Sequence, residues 1–457
     1  MRHRALPVSL AALASLALAA GTARAQSDIF QDEIDLAGRQ TLTLGSGARA
    51  FGMGGAFLAR ADDATAASWN PAGLSYLRLS ELSLVGNYNA FKATSGSDVD
   101  ELKGGAPSFG SFTWPVRIGG ASGSLQANYQ RALSFDGSRT ISREQGTRLS
   151  SGDGSGGFDV IALGTGLRVT RTLRVGATLN YWFNGYSVTL DKTVPVGFRQ
   201  RRVLGQDFSL SGWNSNLGVI YSPLEQLNLA AVFKTAFTGK VDLSKSRTDY
   251  YYDTSGNELG STENAATSDA VRIDFPWSLG FGASWRPRSA ITASADYTRT
   301  DWSAARIHNY FTIRNTPLST PNEPPAPVVY PTLLYPYVYL SSQNDTEEIR
   351  FGVEYVLIRG GLKIPLRGGY FNDKQINTYA VEAPPRFNGF TVGTGVIVGP
   401  VLFDVAYLYE SGELFEITEV SSTLDSSVPP TAQPAVRNTV RNQRVFASFI
   451  YRFGSRP

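Results

Sequence analysis

Cysteine is absent from the 457 residues, and histidine occurs only at His3 and His308. Without cysteine the chain has no disulfide framework and no thiolate for a structural zinc site. Because His3 lies at the N-terminus, a single imidazole remains in the body of the chain. Few soft ligands are therefore present for a transition metal, and we expect neither a metal nor another cofactor.

A catalytic constellation is also missing around His308. Nucleophilic catalysis needs a base within hydrogen-bond reach of the nucleophile and a third group that orients the base. Ser303 is close in sequence, but no strained elbow motif accompanies it. The glycine-rich run 52–55 lacks the lysine of a phosphate loop, and the adjacent Asp62 and Asp63 supply too few oxygens for calcium. The sequence therefore predicts that the protein is not an enzyme.

Uncompensated charge is scarce once the N-terminus is set aside. The uncharged, mostly apolar residues 5–20 follow Arg2 and Arg4 and lead to Ala23-Arg24-Ala25, a small-x-small cleavage pattern. We expect residues 1–25 to be a signal peptide, with a membrane anchor as the alternative. Removing it takes away three of the 42 basic residues and leaves 39 against 39 acidic ones. This balance gives no support for nucleic-acid binding.

Long apolar runs are missing after Ala25, and the hydrophobic period is instead two. Apolar residues alternate with polar ones along 82–90, 173–183, 271–281 and 445–453. The odd-numbered apolar residues of 271–281, for example, are expected on a single face. Such alternation is typical of a barrel strand with one face toward lipid and the other toward the lumen. A closed barrel also satisfies its backbone polar groups within a membrane.

Fourteen such segments follow one another, beginning near residues 79, 106, 121, 157, 173, 207, 227, 270, 289, 346, 361, 386, 401 and 440. Short turns alternate with long loops, which are expected at 93–105, 136–156, 190–206, 243–269, 306–345, 376–385 and 417–439. This order is typical of an even-stranded barrel with both termini in the periplasm. We predict an all-β fold, a transmembrane antiparallel β-barrel of fourteen strands over residues 77–457. It is expected in the outer membrane as a monomer among outer-membrane lipids.

The segment 26–76 does not follow the strand pattern. It is rich in small residues, and residues 61–69 are expected to form a short helix with an acidic start that Asn70-Pro71 ends. A compact unit of about fifty residues ahead of the first strand fits best inside the barrel, as an N-terminal plug or hatch. A periplasmic cap or a tail is the alternative.

The run 52–74 resembles a known family. It contains Asn70-Pro71-Ala72 and looks like the plug of the outer-membrane long-chain fatty-acid transporters of the FadL type. Weaker similarity to strands of that family occurs at 275–287, 291–302 and 366–370. We assign the following residues to the plug motif: Phe51, Asp62, Asp63, Trp69, Asn70, Pro71 and Ala72.

The resemblance implies passive uptake of a hydrophobic small molecule such as a long-chain fatty acid. An extracellular apolar groove would capture the ligand, a lumen pocket beside the plug would bind it, and it would leave sideways through the wall. Fatty acids, alkanes and aromatics are not distinguished, because undirected apolar contact holds all of them. Pro115 marks the second strand as a candidate for the exit, since proline cannot donate to the ladder.

Two other classes of barrel remain as alternatives. Plug motifs of this kind also resemble those of secretion-linked, PorV-like barrels, which shuttle or anchor secreted proteins. A general porin would have an open, charged channel, and the plug-like segment argues against it.

The loop 307–343 is more apolar than a solvated loop and is stiffened by prolines. Large exposed apolar patches usually mark binding surfaces. We predict that it helps to form the outer groove, the alternative being that it packs on neighbouring loops. The residues expected to line the groove are Tyr330, Leu333, Leu334, Tyr335 and Tyr337.

Period-two counting also predicts five charged side chains in the lumen: Asp296, Arg350, Glu354, Lys363 and Arg367. They are expected to pair with one another and with the plug. Alternatively, Arg350 or Arg367 binds the carboxylate of a ligand, because arginine holds a carboxylate through two parallel hydrogen bonds.

Overall fold

The computed structural model describes residues 45–143, 148–196, 198–309, 312–319, 328–329, 337–339, 344–375, 384–416 and 436–454. The expected signal peptide and residues 26–44 lie outside these ranges. In the described part, no helix is long and apolar enough to cross a membrane.

Twenty-two strands occur in the described residues. They are β1 (Ser80–Ser95), β2 (Asp98–Ile118), β3 (Ala121–Ser134), β4 (Gly137–Arg143), β5 (Arg148–Arg168), β6 (Leu173–Phe183), β7 (Gly185–Val196), β8 (Phe198–Leu224), β9 (Leu227–Lys234), β10 (Phe237–Tyr252), β11 (Glu258–Phe275), β12 (Ser278–Arg288), β13 (Ile291–Thr300), β14 (Arg306–Asn309), β15 (Thr312–Ser319), β16 (Val328–Val329), β17 (Tyr337–Tyr339), β18 (Thr346–Arg359), β19 (Leu362–Lys374), β20 (Arg386–Val398), β21 (Val401–Glu416) and β22 (Val436–Phe453).

Fourteen of these strands close a ring in which every neighbouring pair is antiparallel. The ring runs β1, β2, β3, β5, β6, β8, β9, β12, β13, β18, β19, β20, β21 and β22. It closes where β22 pairs with β1, from Ser80 opposite Phe453 to Thr94 opposite Thr439. The structure confirms the predicted fourteen-stranded barrel.

The two faces of the wall differ in polarity, as the period-two pattern predicts. Leu84, Leu163 and Phe390 have more than half of their surface exposed on the outer face. On the inner face, Thr113 and Gln126 are fully buried. Apolar side chains toward lipid and polar side chains toward the lumen are what a membrane-spanning barrel requires.

Several of the expected long loops are wrong, because their residues continue the strands beyond the ring. Residues 136–156 include β4 and the start of β5, residues 190–206 belong to β7 and β8, and most of 243–269 lies in β10 and β11. Residues 93–105 likewise form the ends of β1 and β2 around a tight turn at Gly96. Their polar side chains suggested loops, but ladder hydrogen bonds use the backbone and need no apolar side chain.

The expectation of one continuous apolar face over 271–281 is also wrong. β11 ends at Phe275 and β12 begins at Ser278, so Pro276 and Trp277 interrupt the strand. Val271 is buried whereas Phe281 is 51% exposed on the outer face. Phe275 and Ser278 both face inward but are three positions apart in the sequence. The alternation of inward and outward residues therefore changes phase between β11 and β12.

Candidate functional site: the N-terminal segment and the lumen

Residues 45–77, here called the N-terminal segment, contain three short helices. They are α1 (Ala48–Gly52), α2 (Ala66–Trp69) and a 3-10 helix (Pro71–Tyr76). The helix expected over 61–69 is shorter than predicted, because Asp63 accepts hydrogen bonds from Thr65 N (2.9 Å) and Thr65 Oγ1 (2.7 Å) in a turn that precedes it. Side chains that bond to nearby backbone in this way favour turns over helix.

Asn70 joins three parts of the structure. Its Oδ1 accepts from Ala72 N at 3.0 Å, which caps the 3-10 helix that begins at Pro71. Its Nδ2 donates to Leu58 O at 2.9 Å within the segment and to Val219 O at 3.3 Å in β8. Since Asn70 is fully buried, these bonds satisfy polar groups that water does not reach.

Aromatic packing organises the start of the segment. Trp69 Nε1 donates to Ser46 O at 2.8 Å, and the Trp69 ring meets Phe51 and Phe57 edge-on. Phe51 stacks on Phe446 of β22 with 4.0 Å between ring centroids. The segment thus shares its apolar core with the wall.

Wall side chains satisfy the backbone of the segment from several directions. The donors and acceptors belong to β3, β13, β20 and β22, which lie far apart around the ring. The bonds are Ala48 N to Ser448 Oγ (2.6 Å), Gly54 N to Thr391 Oγ1 (2.9 Å), Leu58 N to Asp296 Oδ2 (2.8 Å), Gln126 Nε2 to Ala64 O (2.8 Å) and Ser124 Oγ to Leu77 O (2.9 Å).

The wall has glycine where the segment approaches most closely. A Cβ at Gly369 would lie 2.1 Å from Gly54 N, and one at Gly352 would lie 2.3 Å from Met53 O. On other strands, a Cβ at Gly176 or Gly218 would overlap Pro71 or Asn70. Glycine therefore permits backbone-to-backbone contact between wall and segment.

Glu354 is the centre of a buried charge network. It accepts from Arg367 Nε at 2.8 Å, from Arg60 at 3.3 Å and from Arg49 at 3.4 Å. Arg367 also donates to Asp404 of β21 at 2.6 Å. Two arginines of the segment and one of the wall thus share a single wall carboxylate.

Asp62 and Asp63 complete the network from within the segment. Arg49 donates to Asp62 at 2.7 Å and to Asp63 at 3.3 Å, and Arg60 also pairs with Asp62. Burial lowers the pKa of the Arg49 guanidinium, but the surrounding carboxylates, Glu354 foremost, outweigh this and hold it above its ordinary value.

Of the five charges predicted in the lumen, Glu354 and Arg367 meet in this network and two others contact the segment separately. Arg350 donates to Gly54 O at 3.2 Å and to Asp373 at 2.6 Å, while Asp296 holds Leu58 N. Lys363 is exposed near the turn at 360–361 and does not join them. Because Arg350 and Arg367 already bind protein carboxylates, a ligand carboxylate would have to displace one of these.

Two groups of aromatic rings lie on the inner face beyond the segment. In one, Trp182, Phe237 and Phe275 stack, with 5.3 Å between the first two centroids and 4.7 Å between the last two. In the other, Tyr186 stacks on Phe135 at 3.8 Å and on Phe208 at 5.3 Å. We call these six residues the aromatic lining.

The wall contains an interruption between β2 and β3. The β2–β4 ladder ends at Lys103 opposite Ser138, and the β2–β3 ladder begins at Phe109 opposite Gln130. Residues 104–108 thus lack a ladder partner on this side, although the backbone of Gly104 still packs against Asp136 and Gly137. We call the region between 104–108 and 131–137 the ladder gap. Phe135 of the aromatic lining lies at its edge. Pro115, by contrast, sits opposite Ser124 in a continuous ladder.

The Asp159 carboxylate forms hydrogen bonds beside the break between β3 and β4, next to the ladder gap. Asp159 of β5 accepts from Arg131 Nε at 2.8 Å, from Asn184 Nδ2 at 2.7 Å and from Tyr129 at 2.9 Å. Asn184 has a φ of 73° between β6 and β7, a conformation that asparagine tolerates better than most residues. The Asp159 carboxylate therefore bonds to residues beside two breaks, the one between β3 and β4 and the one between β6 and β7.

The expected outer groove falls largely outside the described residues. Tyr330, Leu333, Leu334 and Tyr335 are not described, and Tyr337 lies on the short strand β17, opposite Asn309. His308 lies on β14, and Ser303 Oγ donates to Asp301. Within the described residues, no group of three acidic or histidine side chains could hold a metal ion.

Sequence reasoning missed several residues of the site. Arg49 and Arg60 lie in the motif-bearing region but stand out only when their partner is known. Asp404 was detectable, since it is an isolated acid in an otherwise apolar run of β21. The aromatic lining was overlooked: Trp182 has the parity of the inward residues Thr178 and Asn180, whereas Phe275 lies before a strand break at which the alternation changes phase.

Comparison with known proteins gives one family match and a set of similar folds. The model of the BamG family matches residues 44–322, more than half of the chain. A search of curated proteins found no match. Among solved structures, the toluene transporter TbuX of Ralstonia pickettii is 16% identical, with a TM-score of 0.58 over 91% of this chain and 100% of that chain.

Two further solved structures are similar to this chain in fold. The toluene transporter TodX of P. putida is 15% identical, with a TM-score of 0.58 over 91% of this chain and 100% of that one. A FadL homologue of Pseudomonas aeruginosa is 12% identical, with a TM-score of 0.56 over 90% and 99%. At these identities the similarity establishes a shared FadL-type fold.

Proposed function

The chain belongs to the BamG family and has a FadL-type fold, and we propose that it carries hydrophobic compounds passively across the outer membrane. The observation that carries the proposal is the aromatic lining, which places two groups of stacked aromatic rings on the inner face of the barrel beyond the N-terminal segment. A ligand site needs such an apolar surface with few directed polar groups. The similar solved structures include transporters of toluene, which supports an apolar cargo.

We propose that the N-terminal segment is a plug that closes the lumen to ions. Its bonds to β3, β13, β20 and β22 and its contacts with wall glycines support this role. Long-chain fatty acids and monoaromatic hydrocarbons are the two classes of cargo to compare. For a fatty acid, Arg350 or Arg367 would be the partner of the ligand carboxylate, which would displace a protein carboxylate from that arginine.

We further propose that cargo leaves sideways through the ladder gap. Phe135 lies at the gap and stacks on Tyr186, which in turn stacks on Phe208, so apolar surface leads toward the gap. The residues of β2 at the gap are Gly104, Gly105, Ala106, Pro107 and Ser108, which offer little side-chain bulk. A gap with missing ladder bonds needs less energy to widen than a continuous ladder.

Replacing Phe208 by alanine tests the aromatic lining. We expect the uptake rate of toluene or a fatty acid to fall about five- to tenfold, because one stacked ring is worth roughly 1 kcal/mol beyond its buried area. Uptake of labelled compound is measured in cells that lack their own transporter. Phe281→Ala, which removes an exposed ring from the outer face, is the matched control and should transport normally. Equal uptake by both variants would exclude the lining as the binding surface.

Cross-linking the ladder gap tests the sideways exit. The chain has no cysteine, so Ser108→Cys with Ser134→Cys gives one cysteine on each edge of the gap. Joining them with a bifunctional maleimide should reduce uptake by about tenfold or more, which corresponds to at least 1.4 kcal/mol in the barrier. Each single-cysteine variant treated with the same reagent is the control. Full uptake after verified cross-linking would mean that cargo leaves elsewhere.

A further inference from the structure

Two neighbouring short turns carry a cluster of exposed cations. The turn from β12 to β13 and the turn from β18 to β19 are adjacent, because Val356 N donates to Ala290 O at 2.8 Å. Each turn is flanked by two exposed basic side chains. The four residues, here called the turn patch, are Arg286, Arg288, Arg359 and Lys363.

These cations lack carboxylate partners. No salt bridge joins any member of the turn patch to a carboxylate in the described part of the chain. Glu225 is the one acidic residue in the six short turns. At the other end of the barrel, Lys92 and Lys103 are both paired with Glu101 at 3.0 Å each. Glu225 lies in the adjacent turn, since Arg286 N donates to Gln226 O at 2.7 Å, so the turn patch with this neighbour keeps a net positive charge of three.

Apolar side chains stand directly beside the turn patch. Trp285 precedes Arg286 and is 54% exposed, and Ile358 precedes Arg359 and is 68% exposed. Leu357 is exposed as well. Trp285 continues the lipid-facing row of β12 and Leu357 that of β18, so the cations stand where this surface ends. Short turns mark the periplasmic end of such barrels, which places the patch at the inner leaflet of the outer membrane.

We propose that the turn patch binds the phosphate headgroups of anionic phospholipids in the periplasmic leaflet. Arginine matches phosphate oxygens through two parallel hydrogen bonds, and clustered cations beside a membrane attract anionic lipids. The exposed Trp285 and Leu357 would contact the acyl chains of the same lipids. An acidic protein would be a less suitable partner, because Arg288 and Arg359 stand on the lipid-facing rows of their strands, at the outer edge of the wall. The site is independent of what passes through the lumen.

The test compares lipids retained by the purified full-length protein. Wild type and the variant R286Q/R288Q/R359Q/K363Q are reconstituted in nanodiscs with equal amounts of phosphatidylethanolamine and phosphatidylglycerol, and retained lipids are counted by native mass spectrometry. The control is K92Q/K103Q/K240Q/R272Q, which removes four exposed cations from the other end. Heat-modified mobility on a gel verifies that each barrel is folded.

We expect wild type and control to retain phosphatidylglycerol with a several-fold preference and the turn-patch variant to lose that preference. Equal preference in all three proteins would overturn the proposal and would favour an acidic periplasmic protein as the partner. Equal loss in the control and in the turn-patch variant would also overturn it, because net charge rather than the patch would then select the lipid. If the turn-patch variant with all four substitutions fails to fold, the double variants R286Q/R288Q and R359Q/K363Q are compared with wild type separately.

Discussion

Gly369→Ala is expected to open the barrel to ions. The new Cβ would lie 2.1 Å from Gly54 N and 2.4 Å from Met53 C, both backbone atoms that cannot rotate away. The N-terminal segment must therefore shift from the wall at this point, since overpacking a close backbone contact costs about 1–3 kcal/mol or more. The conductance of the purified protein in a planar bilayer should rise well above that of wild type.

The neighbouring glycine provides the control for this experiment. A Cβ at Gly368 would point to the other face of β19, where its nearest neighbour would be Thr391 O at 3.9 Å. Gly368→Ala should therefore conduct as wild type does. Low conductance of folded Gly369→Ala would contradict the proposal that the segment closes the lumen.

Glu354→Gln is expected to loosen the N-terminal segment. Arg49, Arg60 and Arg367 would lose a shared carboxylate in a buried site, and breaking a buried ion pair by removing one partner costs about 3–5 kcal/mol. Arg49 and Arg60 keep Asp62, so the loss falls mainly on the bonds between segment and wall. Trypsin should then cut at Arg49 or Arg60 far faster than in wild type.

The control for this second experiment is Glu347→Gln. Glu347 forms a surface ion pair with Arg386, which contributes about 0–1 kcal/mol. Its removal should leave the rate of cleavage at Arg49 and Arg60 unchanged. If Glu354→Gln is cut no faster than this control, the charge network does not hold the segment to the wall.

The number of strands could be predicted from the sequence because each wall strand has two different environments. Lipid on one side and packed polar groups on the other impose a period of two, which reads directly from runs such as 82–90. Strand ends beyond the ring could not be predicted in the same way. In β4, β7 and β10, polar side chains on a paired backbone have the composition of a loop.

The candidate site was predictable only in part. Asn70, Asp62 and Asp63 stood out through a motif, and Glu354 and Arg367 through charges on the inward face of their strands. Their partners could not be predicted from sequence spacing. Arg49 lies about three hundred positions from Glu354 in the chain, and a contact between such distant residues leaves no pattern in the local sequence.

By itself, the sequence determined that this chain closes into a lipid-facing barrel, because alternating polarity is a local property that survives whatever register the strands adopt. The tertiary structure decided where that barrel is interrupted and how its N-terminal segment is seated. The ladder gap arises where β3 stays with β5 and leaves β2, and the fit at Gly369 depends on which backbone lies opposite. Both are contacts between residues distant in sequence, so only the closed ring brings them together.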